Sequence, residues 1–274
     1  MLRRVAAPTA EGLAESLRAL TDAPEQAAIL CDIDGTLAPI VERADAARVP
    51  PAASRTLAAL ARRYGLVACI SGRSALDARR IVGVGAIAYA GAHGAELLQP
   101  SGTEPMVAHA LESYAESVRE FASAAWQRLR GIGVRLEDKG PIAALHWRGA
   151  PDEEIARAAL EELAPQAEDA GLAVHWGRKV LEIRPPVPIS KADAVTGLLE
   201  GRLTIRRALF GGDDATDLDA FDALDAMVER RRLEAGVKVG VASTEGPADI
   251  VRRADVVVEG TSGFLEVLSA LAGA

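Results

Sequence analysis

Cys31-Asp32-Ile33-Asp34-Gly35-Thr36-Leu37 is the stretch on which the fold turns. Ala27, Ala28, Ile29 and Leu30 lead into it, a short apolar run of the kind a buried strand shows. Two carboxylates one residue apart follow, and Gly35 ends the run. Residues i and i+2 of a strand point the same way, so Asp32 and Asp34 face one site if strand geometry holds through both. Gly35 lets the chain turn sharply there. Crowded acids with no nearby base repel, and Mg²⁺ is the hard cation that suits carboxylate oxygens. A strand ending in a polar turn explains the same residues about equally well, because Asp and Gly are common in turns. The rest of the chain decides between the two.

The composition excludes several classes. The chain has 274 residues, 49% hydrophobic and 26% charged, ordinary for a soluble globular protein of one large or two small domains. A net charge of −8 argues against a nucleic-acid or membrane-surface partner. No apolar run approaches the length of a membrane span. Met1 to Ala10 holds two Arg but no apolar core, so it does not read as a signal peptide. Cys31 and Cys69 sit in apolar strand-like runs and read as buried, reduced thiols. A cytoplasmic protein is expected. Asn is absent, and only four of 31 basic residues are Lys: Lys139, Lys179, Lys191 and Lys238.

Outward from the opening stretch, residues 11–22 read as a helix and residues 38–51 as a polar loop. A helix follows over about 52–64, then a strand, Leu66–Ile70, that runs into Ser71-Gly72-Arg73. Strand, helix, strand predicts a parallel pair joined by a right-handed crossover. Ligands of such sheets sit beyond the carboxyl ends of the strands, which puts Ser71 beside Asp32. Ala86–Ala90 is a further strand, leading into Gly91-Ala92-His93-Gly94-Ala95-Glu96. From about 105 to 186 the pattern changes to helix, two strands, helix, two strands, with hairpin signals at Lys139-Gly140-Pro141 and around Gly177. That order implies an antiparallel sheet backed by two helices. The alternating pattern then resumes, with a helix opening at Ser190-Lys191 and a strand, Ala208–Phe210, ahead of Gly211-Gly212-Asp213-Asp214-Ala215-Thr216-Asp217.

Asp-x-Asp-Gly-Thr resembles the first motif of the haloacid dehalogenase (HAD) superfamily of phosphatases. The resemblance implies Asp32 as the nucleophile that becomes an aspartyl phosphate, and Asp34 as the general acid and then base. Acid pair, Ser-Gly, Lys and acid cluster recur in that superfamily's order. Lys191 is then the third catalytic residue, offsetting the charge of nucleophile and phosphate. Asp32, Asp34, Asp213, Asp214 and Asp217 become candidate Mg²⁺ ligands, with Asp214 and Asp217 sharing a direct or water-mediated role. The fold expected is α/β: a HAD-like Rossmannoid core with a parallel sheet, residues 1–104 and 187–274. An inserted α/β cap domain with an antiparallel sheet takes up residues 105–186.

Residues from about 27 to 225, the inserted part included, are similar to trehalose-6-phosphate phosphatases. Gly91-Ala92-His93-Gly94-Ala95-Glu96 matches their Gly-Asn-His-Gly-x-Glu except at Ala92. Glu137-Asp138-Lys139-Gly140 with His146-Trp147-Arg148, and Gly177 through Pro185, look like their two cap motifs. The resemblance implies an Mg²⁺-dependent hydrolysis of trehalose 6-phosphate. Ser71, Gly72, Arg73, His93, Glu96, Glu137, Lys139, Lys179 and Glu182 then become candidate substrate-binding residues, Ser71 at a phosphate oxygen and Glu137, Lys139, Lys179 and Glu182 at the sugar. Carboxylates accept from sugar hydroxyls and ammonium groups donate to them. Trp147 and Trp176 suit a sugar face or the core, and His93, His146 and His175 also have a structural reading, none being spaced as a zinc ligand. A monomer acting on a small phosphosugar is expected. The alternatives are a related sugar phosphatase, for sucrose phosphate or a glycosyl-phosphoglycerate, and a non-catalytic phosphosugar-binding protein.

Overall fold

The computed structural model describes residues 9–41, 46–107, 109–243 and 246–273. Residues 1–8, read above for a signal peptide, and 42–45 of the expected polar loop lie outside the described residues. The chain divides into two compact units, Met1–Pro105 with Ser190–Ala274, and Met106–Ile189.

In the first unit, α1 (Ala10–Thr21) precedes β1 (Ala27–Cys31), followed by α2 (Pro51–Leu60), β2 (Leu66–Ile70), α3 (Ala75–Val82), β3 (Ala88–Gly91) and β4 (Glu96–Leu98). Every residue of β1 and β2 is buried, as expected of parallel strands covered on both faces. Ile29 and Cys31 pack with α1, α2 and the C-terminal helix, while Leu30 faces Val195, Phe210 and Phe221 on the other side. The second unit begins with β5 (Met106–Val107), then α4 (His109–Leu129), β6 (Arg135–Asp138), β7 (Ala143–His146), α5 (Glu153–Asp169), β8 (Ala173–Gly177) and β9 (Val180–Arg184). Its sheet is antiparallel in the order β6-β7-β9-β8, with its own core of Leu145, Leu160, Leu163, Leu181 and Ile183. The chain returns to the first unit through α6 (Lys191–Glu200), β10 (Arg207–Gly212), α7 (Asp217–Glu229), β11 (Ala235–Ala242), α8 (Ala248–Arg253), β12 (Val256–Glu259) and α9 (Gly260–Gly273).

Within the first unit the sheet runs β12-β11-β10-β1-β2-β3-β4, parallel except for β4. From β1 the order proceeds one way through β2 and β3, and from β10 the other way through β11 and β12. The reversal falls between β1 and β10, where such sheets leave a crevice beyond the strand ends. Asp32 and Asp213 are the residues that follow those two strands.

One expectation fails here. Asp32 and Asp34 do not share a face by strand alternation, because β1 ends at Cys31. The chain turns at once: Ile33 O accepts from the amides of Leu37 and Ala38, and Gly35 N donates to Ala38 O at 2.7 Å. Gly35 has φ 94, and the reversal takes Asp34 out of the strand's periodicity.

Candidate active site

The β1 turn brings Asp32 and Thr36 to the sheet reversal, β10 brings Asp213, and the first turns of α6 and α7 bring Lys191 and Asp217. All five are buried. Lys191 Nζ donates to Asp32 Oδ1 at 2.7 Å and to Asp217 Oδ1 at 2.6 Å. Asp217 Oδ2 accepts from the amides of Asp213 and Asp214, each at 2.9 Å. The Thr36 hydroxyl donates to Asp213 Oδ1 at 3.1 Å. A Cβ on Gly35 would lie 2.1 Å from Asp213 Oδ2, so only glycine leaves room for that carboxylate.

Electrostatics follow from crowding. Burial pushes the Asp32 carboxyl well above the usual range; Lys191 pulls it down, and Asp217, Asp213 and Asp34 push it up again. Asp213 is pushed up to about 7, by burial first and by Asp217 next. Lys191 also rises: burial alone would lower it, and Asp217 and Asp32 more than offset that. Asp32, Asp213 and Asp217 each present an oxygen within 4.8 Å of the others. Hard oxygen donors at this spacing, with one lysine set against three carboxylates, fit a small divalent cation such as Mg²⁺. A bound cation would lower these carboxyls back toward their ordinary range.

The remaining expected residues divide. Asp34 stands apart from the trio: both its oxygens accept from Arg73, Nε to Oδ2 and Nη2 to Oδ1, each at 2.7 Å. Asp214 is half-buried, and its Oδ1 accepts from Ala215 N at 2.7 Å. Ser71 is buried at the end of β2, its hydroxyl accepting from Arg73 N at 3.2 Å. Gly72 has the His93 ring over it, 2.8 Å from where a Cβ would stand. His93 N donates to Ser71 O and Ala92 N to Arg73 O, lacing this loop to Ser71-Gly72-Arg73. Ala92 and His93 adopt φ 48 and 59, the left-handed region, where Asn is more at ease than Ala. The Glu96 carboxylate accepts from Ala75 N at 2.8 Å and so caps α3.

In the second unit, Lys139 Nζ and Glu182 Oε1 form a buried pair at 2.8 Å. Arg184 Nε also binds Glu182, at 2.9 Å to Oε2. Glu137 bonds His146 Nε2 at 2.7 Å. Lys179 does not join them. It sits in the turn between β8 and β9 at φ 61 and pairs with Glu153 of α5 at 2.6 Å. With Trp147, Trp176 and Glu161 these two line an open cavity of about 720 Å³. Trp147 belongs to the core; Trp176 is 41% exposed and meets it edge-on at 5.7 Å.

Sequence reasoning gave no role to Thr36 or to Asp77. The first stood in the quoted motif. The second lies four residues after Arg73, the helix spacing at which opposite charges meet, and that spacing was the available signal.

A parallel sheet with Asp32, Lys191 and Asp213 gathered at its reversal, interrupted in sequence by an antiparallel second unit, defines a HAD-like fold. A haloacid dehalogenase-like hydrolase from Bacteroides thetaiotaomicron superposes with TM-score 0.60 at 16% identity, over 88% of this chain and 98% of that one. A model of the trehalose-phosphatase family matches residues 30–253, and the chain belongs to that family. The trehalose-phosphate phosphatase of Mycobacterium avium is 36% identical over 208 residues, 72% of this chain and 51% of that protein. An uncharacterized glycosyl hydrolase of Mycobacterium tuberculosis is 38% identical over 209 residues, 72% of this chain but 15% of that protein. The chain thus spans about half the length, or less, of the curated relatives it matches. The C-terminal domain of the Candida albicans trehalose-6-phosphate phosphatase shares the fold with TM-score 0.76 at 21% identity, over 98% of this chain and 99% of that one.

Proposed function

We propose that the protein is an Mg²⁺-dependent phosphatase that hydrolyses trehalose 6-phosphate through an aspartyl phosphate on Asp32. The observation that carries this reading is the buried Asp32–Lys191–Asp217 bridge beside Asp213 at the sheet reversal. Family membership supports trehalose 6-phosphate as the substrate. Lys191 holds Asp32 Oδ1, which leaves Oδ2 to attack phosphorus while the sugar–oxygen bond to phosphorus breaks. Asp34, protonated on one oxygen and held by Arg73 through the other, gives its proton to the departing sugar oxygen. In the second step the Asp34 carboxylate takes a proton from water, the water oxygen bonds phosphorus, and the bond from phosphorus to Asp32 breaks. Covalent catalysis of this kind divides one hard displacement into two easier ones.

Asp32 and Asp213 would hold Mg²⁺, which supplies charge neutralisation at the transferring phosphoryl group. Asp217 serves by fixing Lys191 and the amides of Asp213 and Asp214, since its oxygens are engaged there. Ser71 and the backbone around Gly72 offer donors to the phosphate. Residues 105–186 are assigned the reading of the sugar, through Glu137, Lys139 and Glu182. The reading includes a cytoplasmic monomer acting on a small phosphosugar and not on nucleic acid. It is supported by the net charge of −8 and by two free buried thiols. Among the described residues no helix is long and apolar enough to cross a membrane.

The test is phosphate release over a panel of phosphosugars. Trehalose 6-phosphate is expected to give the highest kcat/KM, with sucrose 6-phosphate and glycosyl-phosphoglycerates well behind. Asp32→Asn is expected to fold and to release no phosphate, because an amide does not attack phosphorus. Chelation with EDTA should abolish release and Mg²⁺ restore it. Ca²⁺ should restore it poorly, because its larger and looser coordination misplaces the nucleophile. Near-normal turnover by Asp32→Asn, or by exhaustively chelated protein, would sink the mechanism.

A further inference from the structure

Asp34 stands at the end of a chain of charges that the chemistry above leaves unexplained. Arg73 grips both Asp34 oxygens with two parallel N–H groups, and its Nη1 donates to Asp77 Oδ2 at 2.9 Å. Asp77 is fixed in turn. Its Oδ1 accepts from Arg80 Nε at 2.9 Å and Nη2 at 2.6 Å, and its amide donates to Ser74 Oγ at 3.2 Å. The Arg73 side chain is 9% exposed, so the fork is buried among these partners. Burial would raise the Asp77 carboxyl, but Arg80 and Arg73 hold it below the usual carboxylate range. A guanidinium is flat and rigid. Fixing one N–H on Asp77 sets the plane and reach of the two that hold Asp34.

We propose that Asp77 is a positioning residue for the reaction: through Arg73 it sets where the Asp34 carboxylate stands. This rests on the reading of Asp34 as the acid for the leaving sugar. A proton donor must come within about 2.6–3.2 Å of the oxygen it serves. Misplacement by about 1 Å can cost about a hundredfold in rate. The plainer alternative is that Asp77, an acid in the first turn of α3, only favours the helix start. The two differ in what they do to substrates. A sugar alkoxide needs a proton in order to leave, and p-nitrophenolate does not. A fault in the placement of Asp34 therefore harms transfer of phosphate from the sugar selectively, a loss read in kcat/KM, while hydrolysis of the shared aspartyl phosphate enters kcat for both substrates; a weakened helix harms both kcat/KM values.

The experiment measures kcat, KM and Tm for wild type, Asp34→Asn, Asp77→Ala, Asp77→Asn and Ser74→Ala. The substrates are the phosphosugar that wild type turns over best and p-nitrophenyl phosphate. Asp77→Ala is expected to lower kcat/KM on the sugar phosphate by about 10- to 100-fold, and to lower it far less on the aryl phosphate. Asp77→Asn keeps an acceptor for Arg73 and is expected to recover most of the loss. Ser74→Ala removes the side-chain cap on the Asp77 amide but leaves both Asp77 carboxylate oxygens with Arg73 and Arg80, so it should lower Tm and leave the ratio of the two substrates as in wild type. Equal losses of kcat/KM on both substrates for Asp77→Ala, or the same split in kcat/KM from Ser74→Ala, overturn the proposal. A split in Asp34→Asn without one in Asp77→Ala overturns the positioning role alone. No split in Asp34→Asn, or a wild type inert towards every phosphosugar, overturns the role of Asp34 and this proposal with it.

Discussion

At Gly35 one added carbon decides whether the acid cluster forms. A methyl there would meet Asp213 Oδ2 at 2.1 Å and Oδ1 at 2.5 Å, and φ 94 is unfavourable to any L side chain. Asp213 has little freedom to retreat, being buried and held by Thr36. Gly35→Ala is therefore expected to raise the Mg²⁺ concentration for half-maximal activity about tenfold or more, the scale of a misplaced ligand set. Titrating activity with Mg²⁺ measures it; an unchanged midpoint would show that the Asp213 carboxylate is not a ligand. Much of this was legible beforehand. Asp32, Lys191 and Asp213 follow or open recognisable elements, and residue type told the rest. The separation of Asp34 from Asp32 was not legible, because the strand stops one residue before the first acid and a turn then redirects the second. Nor was the bond from Thr36 to Asp213, which joins residues 177 positions apart; such pairings exist only once the sheet has formed.

Helix starts position the chemistry at the next scale. Lys191 is the first residue of α6, directly after Ser190, whose side chain accepts from Asp193 N while Asp193 accepts from Ser190 N. This capping box fixes the direction in which the lysine leaves the helix. Ser190→Ala is expected to cost about 1 kcal/mol of stability. It should also lower kcat about 3- to 10-fold on sugar and aryl phosphates alike, because Lys191 serves the nucleophile and not the leaving group. Thermal melts with both substrates check it, and a loss confined to stability would mean that α6 holds Lys191 without its cap. The helix start at Ser190 was readable, as were the fully apolar strands. The three-residue β4 was not, since Glu96–Leu98 is too short to show a period and its pairing with β3 depends on the turn at Ala92–Gly94. The direction that Lys179 takes was not readable either, for a related reason. The β8–β9 turn sends it to Glu153 on α5, away from the Lys139–Glu182 pair.

For the molecule as a whole, the change from alternating strand and helix to paired strands near residue 105 made two units legible, and the structure divides at Met106 and Ile189. All four lysines are in ion pairs: Lys139 with Glu182, Lys179 with Glu153, Lys191 with Asp32 and Asp217, and Lys238 with Asp225. In a chain that otherwise uses Arg, these are places for a compact point charge. Binding energy from the remote part of a substrate can be used to position its phosphate. If the second unit supplies that energy, damage to it should depend on the sugar. The Lys139–Glu182 pair is buried, so removing one partner strands the other charge at about 3–5 kcal/mol and confuses folding with binding. The informative variant changes both, Lys139→Met with Glu182→Gln, which removes both charges of the pair and leaves an amide acceptor for Arg184, whose side chain keeps 13% exposure. Its kcat/KM on trehalose 6-phosphate is expected to fall about 10- to 1000-fold, the scale of one or two lost hydrogen bonds to charged groups. Hydrolysis of p-nitrophenyl phosphate, which has no sugar to read, should change little, whereas Lys191→Ala should harm both substrates. An equal loss on the aryl phosphate by the double variant, with its Tm retained, would mean that the second unit acts on catalysis itself and not on the recognition of the sugar.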